Sequence, residues 1–110
     1  MKKIEAIIDP SKMQEVKSAL SKIGIRRMTI SKVEEFGIQE SHKEFYRGKE
    51  FIVDVVKEFK IELMVPDEML NQVIEAIDKA TKTESIGDRE IFVSPVDKVI
   101  QFRTHLSHSA

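Results

Sequence analysis

Apolar residues return along this chain at two spacings, and the changes between them outline a run of six elements. Residues 2–9 are an apolar, β-branched stretch through Ile4, Ala6, Ile7 and Ile8, which reads as a buried strand. Met13, Val16, Leu20 and Ile23 then recur at helical spacing. Ser11 followed by Gln14 is a capping-box pattern at the front of that helix, and Gly24 stands where a left-handed C-cap belongs. A second strand follows through Met28, Ile30 and Val33 to about Phe36. Phe59, Ile61, Leu63 and Val65 alternate with Lys60, Glu62 and Met64, the signature of a half-buried strand. Pro66 closes it, Asp67 is placed to cap the next helix, and Leu70, Val73, Ile74 and Ile77 form that helix's apolar stripe. Ile91–Val93 and 96–104 supply the last extended segments, with a break at Pro95.

The second half repeats the first. Lys3-Ile4-Glu5 returns as Lys60-Ile61-Glu62, and at the same offset Met13, Val16, Ala19 and Leu20 fall against Leu70, Val73, Ala76 and Ile77. Two strand–helix–strand units predict an α+β domain of order βαββαβ, an antiparallel sheet with both helices on one face. Ile7, Met64 and Val99 are candidates for the other face, and a contiguous apolar area there would call for association of copies.

Composition narrows the function classes. A length of 110 residues fits a single domain, and 41% hydrophobic with 34% charged residues describes a globular protein. A formal net charge of -1 argues against nucleic acid as the main partner, because phosphate backbones demand a basic excess. With no cysteine, disulfides, thiolate catalysis and thiolate metal sites are excluded. Met1–Pro10 lacks the apolar run of a signal peptide, and no apolar segment approaches the ~20 residues that span a bilayer. The expectation is a cytoplasmic protein that does not insert into membranes.

Between the two units lies Gly37 to about Lys57, expected as a long irregular loop; such loops in small domains are usually functional. His42 and Glu44 there, with His105 and His108 near the C-terminus, are ligand types suited to Zn²⁺ or Cu²⁺, but nothing fixes their geometry, and no metal site is assigned. The same histidines offer no ordered triad, which argues against an enzyme. Glu5 and Glu62 look like a paired acid–base set, yet they read better as partners of Lys3 and Lys60 on the sheet.

At this point the chain resembles the nitrogen-regulatory PII family. The matching pieces are Met1-Lys2-Lys3-Ile4 with Pro10, Gly24-Ile25, Met28-Thr29, Phe36-Gly37, Gln39, His42, Tyr46-Arg47-Gly48 with Glu50, Lys60-Ile61-Glu62, Pro66-Asp67, Thr83, Ile86-Gly87-Asp88, Ile91-Phe92-Val93 and Arg103-Thr104. The resemblance runs nearly end to end. It implies a ferredoxin-like βαββαβ sandwich assembled as a homotrimer, one PII-like domain over 1–110. Segment 37–57 would be the partner-binding loop, 81–90 a phosphate-facing loop and 105–110 a flexible tail. It implies an ATP, ADP or AMP site between subunits, carried here by Thr29, Gly37, Gln39, Met64, Gly87, Asp88, Arg89 and Arg103. It also implies docking onto a regulated protein, such as a membrane transporter or a metabolic enzyme, through Tyr46, Arg47, Glu50 and Phe51.

Departures from the family pattern weaken the nucleotide site. Where the family's phosphate loop reads Thr-Gly-x-Ile-Gly-Asp-Gly-Lys, this chain reads Thr83 to Glu90 with both flanking glycines gone and Glu90 in place of the lysine. Gln101 replaces the first of two arginines, Ile38 replaces an arginine, Arg27 replaces a glycine, and Glu58 stands where a lysine often meets 2-oxoglutarate. Each charge-assisted hydrogen bond is worth ~1.5–3 kcal/mol, so losing two or three lowers affinity by orders of magnitude. Arg89, with Arg26 and Arg27, offers partial compensation. Phe51 occupies the place of the modified tyrosine and has no hydroxyl to carry a nucleotide. The expected function is a PII-like signal-transduction regulator with weakened adenine-nucleotide binding; the alternative is a divergent sensor of a metal ion or small anion, associated with a transport system.

Overall fold

In the computed structural model, the described residues are 1–40, 51–82 and 90–102. The elements run β1 (Lys2–Ile8), α1 (Met13–Lys22), β2 (Thr29–Glu40), β3 (Phe51–Val65), α2 (Leu70–Thr81) and β4 (Ile91–Pro95), with 3₁₀ turns at Pro10–Lys12 and Asp67–Met69 ahead of the two helices. The four strands pair antiparallel in the order β2-β3-β1-β4. This is the ferredoxin-like α+β arrangement that the repeated unit predicts.

Alternation along the central strands decides which side carries the helices. Ile4, Ala6 and Ile8 of β1 and Ile61, Leu63 and Val65 of β3 are buried together with Met13, Val16 and Leu20 of α1 and Val73 and Ile77 of α2. No polar or charged residue among those described is buried. The core is therefore a single apolar layer, held by burial worth ~25 cal/mol per Å² of surface removed from water.

Several local expectations change. Ser11 is not the cap of α1; Asp9 is the cap of the 3₁₀ turn, its carboxylate accepting from the Ser11 N–H at 2.8 Å and from the Ser11 hydroxyl at 2.7 Å. Pro10 forces the chain into that turn first, so the cap moves two residues upstream. Similarly, Pro66 rather than Asp67 precedes the second turn, and Asp67 instead meets the Met1 amino group at 2.6 Å. Gly24 does adopt the left-handed conformation, at φ 94°, and its N–H bonds back to the Ser21 carbonyl.

The largest difference concerns the segment 37–57. Its two ends are strand, not loop: β2 runs on to Glu40 and β3 begins at Phe51, in unbroken register from Thr29↔Glu62 to Glu40↔Phe51. A two-stranded ribbon thus projects past the end of β1, whose own pairing with β3 stops at Ile8↔Phe59. The β-branched residues Ile52, Val53, Val55 and Val56 favour it. Beyond β4, residues 96–102 form no strand; Val96 donates to the Met1 carbonyl, and Val99, Ile100 and Phe102 are exposed.

Candidate functional site

The face of the sheet opposite the helices is the place to look for chemistry. Strand alternation assigns to it Lys3, Glu5 and Ile7 of β1, Thr29, Ser31, Val33, Glu35 and Gly37 of β2, and Val56, Glu58, Lys60, Glu62 and Met64 of β3. It is not the apolar area anticipated from Ile7, Met64 and Val99. Met64 is exposed and Val99 lies outside the strands, but the centre is charged.

That centre is a four-residue lattice. Glu5 lies directly opposite Glu62 on the neighbouring strand, a like-charge pair that repels unless something intervenes. Lys3 and Lys60 intervene: Lys3 Nζ is 3.1 Å from Glu62 and 4.0 Å from Glu5, and Lys60 Nζ is 3.3 Å from Glu5. The hydrogen bond to Glu62, reinforced by the two carboxylate charges, raises the Lys3 ammonium above its ordinary value, and the same bond holds Glu62 below the usual carboxylate range. With all four charges matched, Glu5 and Glu62 are partners of the lysines, as the repeat suggests.

Toward the ribbon the balance changes sign. Glu35 lies diagonally across from Glu58, and this neighbouring carboxyl, with burial and the charge of Asp9 behind it, pushes the Glu58 carboxyl up to about 7. Glu58 stands out in the sequence as a replaced lysine, whereas no sequence pattern marks Glu35; only the register brings the two together.

Of the eight expected nucleotide residues, Thr29, Gly37 and Met64 fall on this face. Thr29 opens β2 opposite Glu62, Gly37 pairs with Asp54 in the ribbon, and Met64 pairs with Lys3. A β-carbon added at Gly37 would meet nothing within 4 Å, so the backbone there lies open to a ligand. Gln39 has its backbone in β2 opposite Ile52. Gly87, Asp88, Arg89 and Arg103 lie outside the described residues. Of the docking residues, Tyr46, Arg47 and Glu50 also lie outside them, and Phe51 is the first residue of β3.

Just before Thr29, the connection from α1 to β2 borders a groove of about 580 Å³ lined by Lys17, Ser21, Gly24, Arg26, Arg27 and Met28 among others. The turn at Gly24 puts the two arginines of the connection on one groove with Lys17 of α1, and Met28, the residue before Thr29, lines it too. Among the described residues no group of three or more histidine, aspartate or glutamate side chains could hold a metal ion, and no helix is long and apolar enough to cross a membrane. His42, Glu44, His105 and His108 lie outside the described residues.

The sequence model of the family described as Nitrogen regulatory protein P-II matches residues 1–106. Proteins of that name from Rhodobacter capsulatus and Haemophilus influenzae are each 50% identical to this chain over 104 residues, covering 94% of this chain and 93% of the relative. The one from Azospirillum brasilense is 48% identical over the same shares. Among solved structures, that of B. subtilis GlnK superposes with a TM-score of 0.74 at 35% identity, covering 87% of this chain and 84% of the other. The B. subtilis GlnK-ATP complex superposes with a TM-score of 0.76 at the same identity and coverage.

Proposed function

The chain belongs to the nitrogen regulatory protein P-II family, and from that membership we propose that it controls a partner protein by docking the segment between β2 and β3, with an adenine nucleotide as a weakly held effector. The observation that carries this reading is identity near 50% across almost the whole length of both this chain and its relatives. The protein is a signal-transduction regulator, and nothing favours the alternative of a metal or anion sensor. It acts by binding and not by turnover, as a cytoplasmic homotrimer.

The ribbon supports the docking role on physical grounds. It holds the two ends of 41–50 in register through a ladder of paired residues, a fixed base for the segment that docks. Tyr46, Arg47, Glu50 and Phe51 carry recognition. An arginine offers a planar fork of donors that a narrow carboxylate-lined pocket reads with two parallel bonds, which makes Arg47 the foremost contact. The partner is a membrane transporter or a metabolic enzyme.

The nucleotide reading draws on the solved GlnK-ATP complex for the family and on Thr29, Gly37 and Met64 for this chain. Gln39, Gly87, Asp88, Arg89 and Arg103 complete the site, and Arg26 and Arg27, in the connection that leads to Thr29, offset part of the charge lost at Gln101 and Glu90. Affinity capture from the source cells tests the docking: the wild-type protein retains its partner, and Arg47→Ala loses it while keeping its oligomeric size. Equal retention by both proteins refutes docking through this segment.

A further inference from the structure

Some of the positive side chains are engaged by carboxylates and some are not. Lys3 and Lys60 are held by Glu5 and Glu62, Lys12 by Glu15 and Lys79 by Glu75. Lys17, Arg26 and Arg27 have no acidic partner among the described residues, yet all three line one groove of about 580 Å³. No acidic side chain lines it with them. At a formal net charge of -1 the chain has no general basic excess, so this is a local concentration of cations.

The backbone fixes the groove. Lys17 and Ser21 stand one turn apart on α1. The chain leaves that helix through Gly24 at φ 94°, and the Gly24 and Ile25 N–H groups donate back to the Ser21 and Leu20 carbonyls, each at 3.0 Å. The connection that starts there supplies Arg26 and Arg27. Leu20, Ile25 and Met28 line the groove as well; the first is buried and the other two pack against the core, so part of the lining is apolar. Cations around an apolar lining favour an occupant that is both anionic and apolar. A nucleic acid does not suit a chain of this charge balance, and a flat bilayer surface does not enter a recess. An extended protein segment enters it and presents both kinds of group.

We propose that the groove between α1 and the α1–β2 connection is a second docking surface, which takes an acidic, partly apolar segment of the regulated protein. The proposal rests on the reading that this protein controls a partner by contact, and it adds a surface apart from segment 41–50. The forks of Arg26 and Arg27 match carboxylates with parallel bonds, Lys17 adds a point charge, and an apolar side chain of the segment covers Leu20, Ile25 and Met28.

The test uses full-length protein without nucleotide, because the same two arginines also offset charge at the nucleotide site. The probe is a peptide of about ten residues alternating glutamate with leucine, and its control has glutamine for glutamate. Backbone amide NMR follows the titration and shows that each variant is folded. The expected result is saturable binding of the glutamate peptide, with shifts confined to residues 17–28 and affinity falling as salt rises. Arg26→Glu/Arg27→Glu should weaken it roughly tenfold, since two exposed ion pairs become repulsions. Lys79→Glu/Lys82→Glu, the same change of charge on α2 and just after it, should leave it unchanged. Equal binding of the glutamine peptide, shifts centred elsewhere, or equal weakening by the two double variants overturns the proposal. So does binding of phosphatidylserine vesicles through the two arginines with none of the peptide, which would make the groove a membrane contact. None of these failures touches docking through 41–50, which the Arg47→Ala capture decides separately.

Discussion

Ile61 is the residue on which the sheet's support of the candidate site depends most. It is 0% exposed, sits at the middle of β3, and pairs with Ala6 on one side and Ile30 on the other. Its neighbours in sequence, Lys60 and Glu62, lie on the face opposite the helices. Ile61→Ala removes three carbons, which at about 0.8 kcal/mol each is about 2.4 kcal/mol of lost transfer energy. A residual cavity of about 50 Å³ adds about 1.2 kcal/mol, for a total of about 3.6 kcal/mol. Urea unfolding at one fixed protein concentration reads this directly, because an unchanged slope converts the loss into a midpoint about 2 M lower. Met64→Ala on the same strand, at 51% exposure, is the control and should stay within about 1 kcal/mol of wild type. If Ile61→Ala costs less than about 1 kcal/mol, β3 is not the core strand described here and the register built on it fails.

Further outcomes follow from single residues. Gly24→Ala places a side chain at φ 94° and should cost about 1–2 kcal/mol in thermal or urea unfolding, while Gly37→Ala, with nothing within 4 Å of its new β-carbon, should be near neutral. Because the Glu58 carboxyl is raised in the folded state, the native protein holds the extra proton between the ordinary glutamate range and about 7. Stability should therefore fall as pH rises through that window, and Glu58→Gln should flatten the fall in a urea–pH series. A nucleotidylating enzyme acting on P-II proteins should leave wild-type mass unchanged, because Phe51 has no hydroxyl, whereas Phe51→Tyr should gain the mass of one nucleotide.

Much of the architecture is legible in the residues because burial alone dictates it. The Lys-Ile-Glu repeat marks β1 and β3 as equivalent strands, and its alternation already separates the buried Ile4 and Ile61 from the charged positions beside them. Pairings across strands are another matter. That Glu5 faces Glu62, with lysines on the diagonals, depends on register, which no local pattern prints. The strand ends in 37–57 were hidden for a different reason. Gly37, Gln39 and Glu40 are polar or flexible, and a ribbon projecting beyond the core has no buried face to impose a strong alternation. Glu35 went unnoticed because its significance lies wholly in its diagonal neighbour. The expected caps failed at Ser11 and Asp67 because prolines 10 and 66 impose 3₁₀ turns first.

Nucleotide binding is where the family's behaviour and this chain's own residues pull hardest against each other. Calorimetric titration of the wild-type protein with ATP, ADP and AMP, each with and without Mg²⁺, tests the point directly. Saturable binding of at least one nucleotide is expected, weakened by the charges missing at Ile38, Glu90 and Gln101 and lost further when Arg89 and Arg103 are replaced. No heat at millimolar concentrations of any of the three would contradict it.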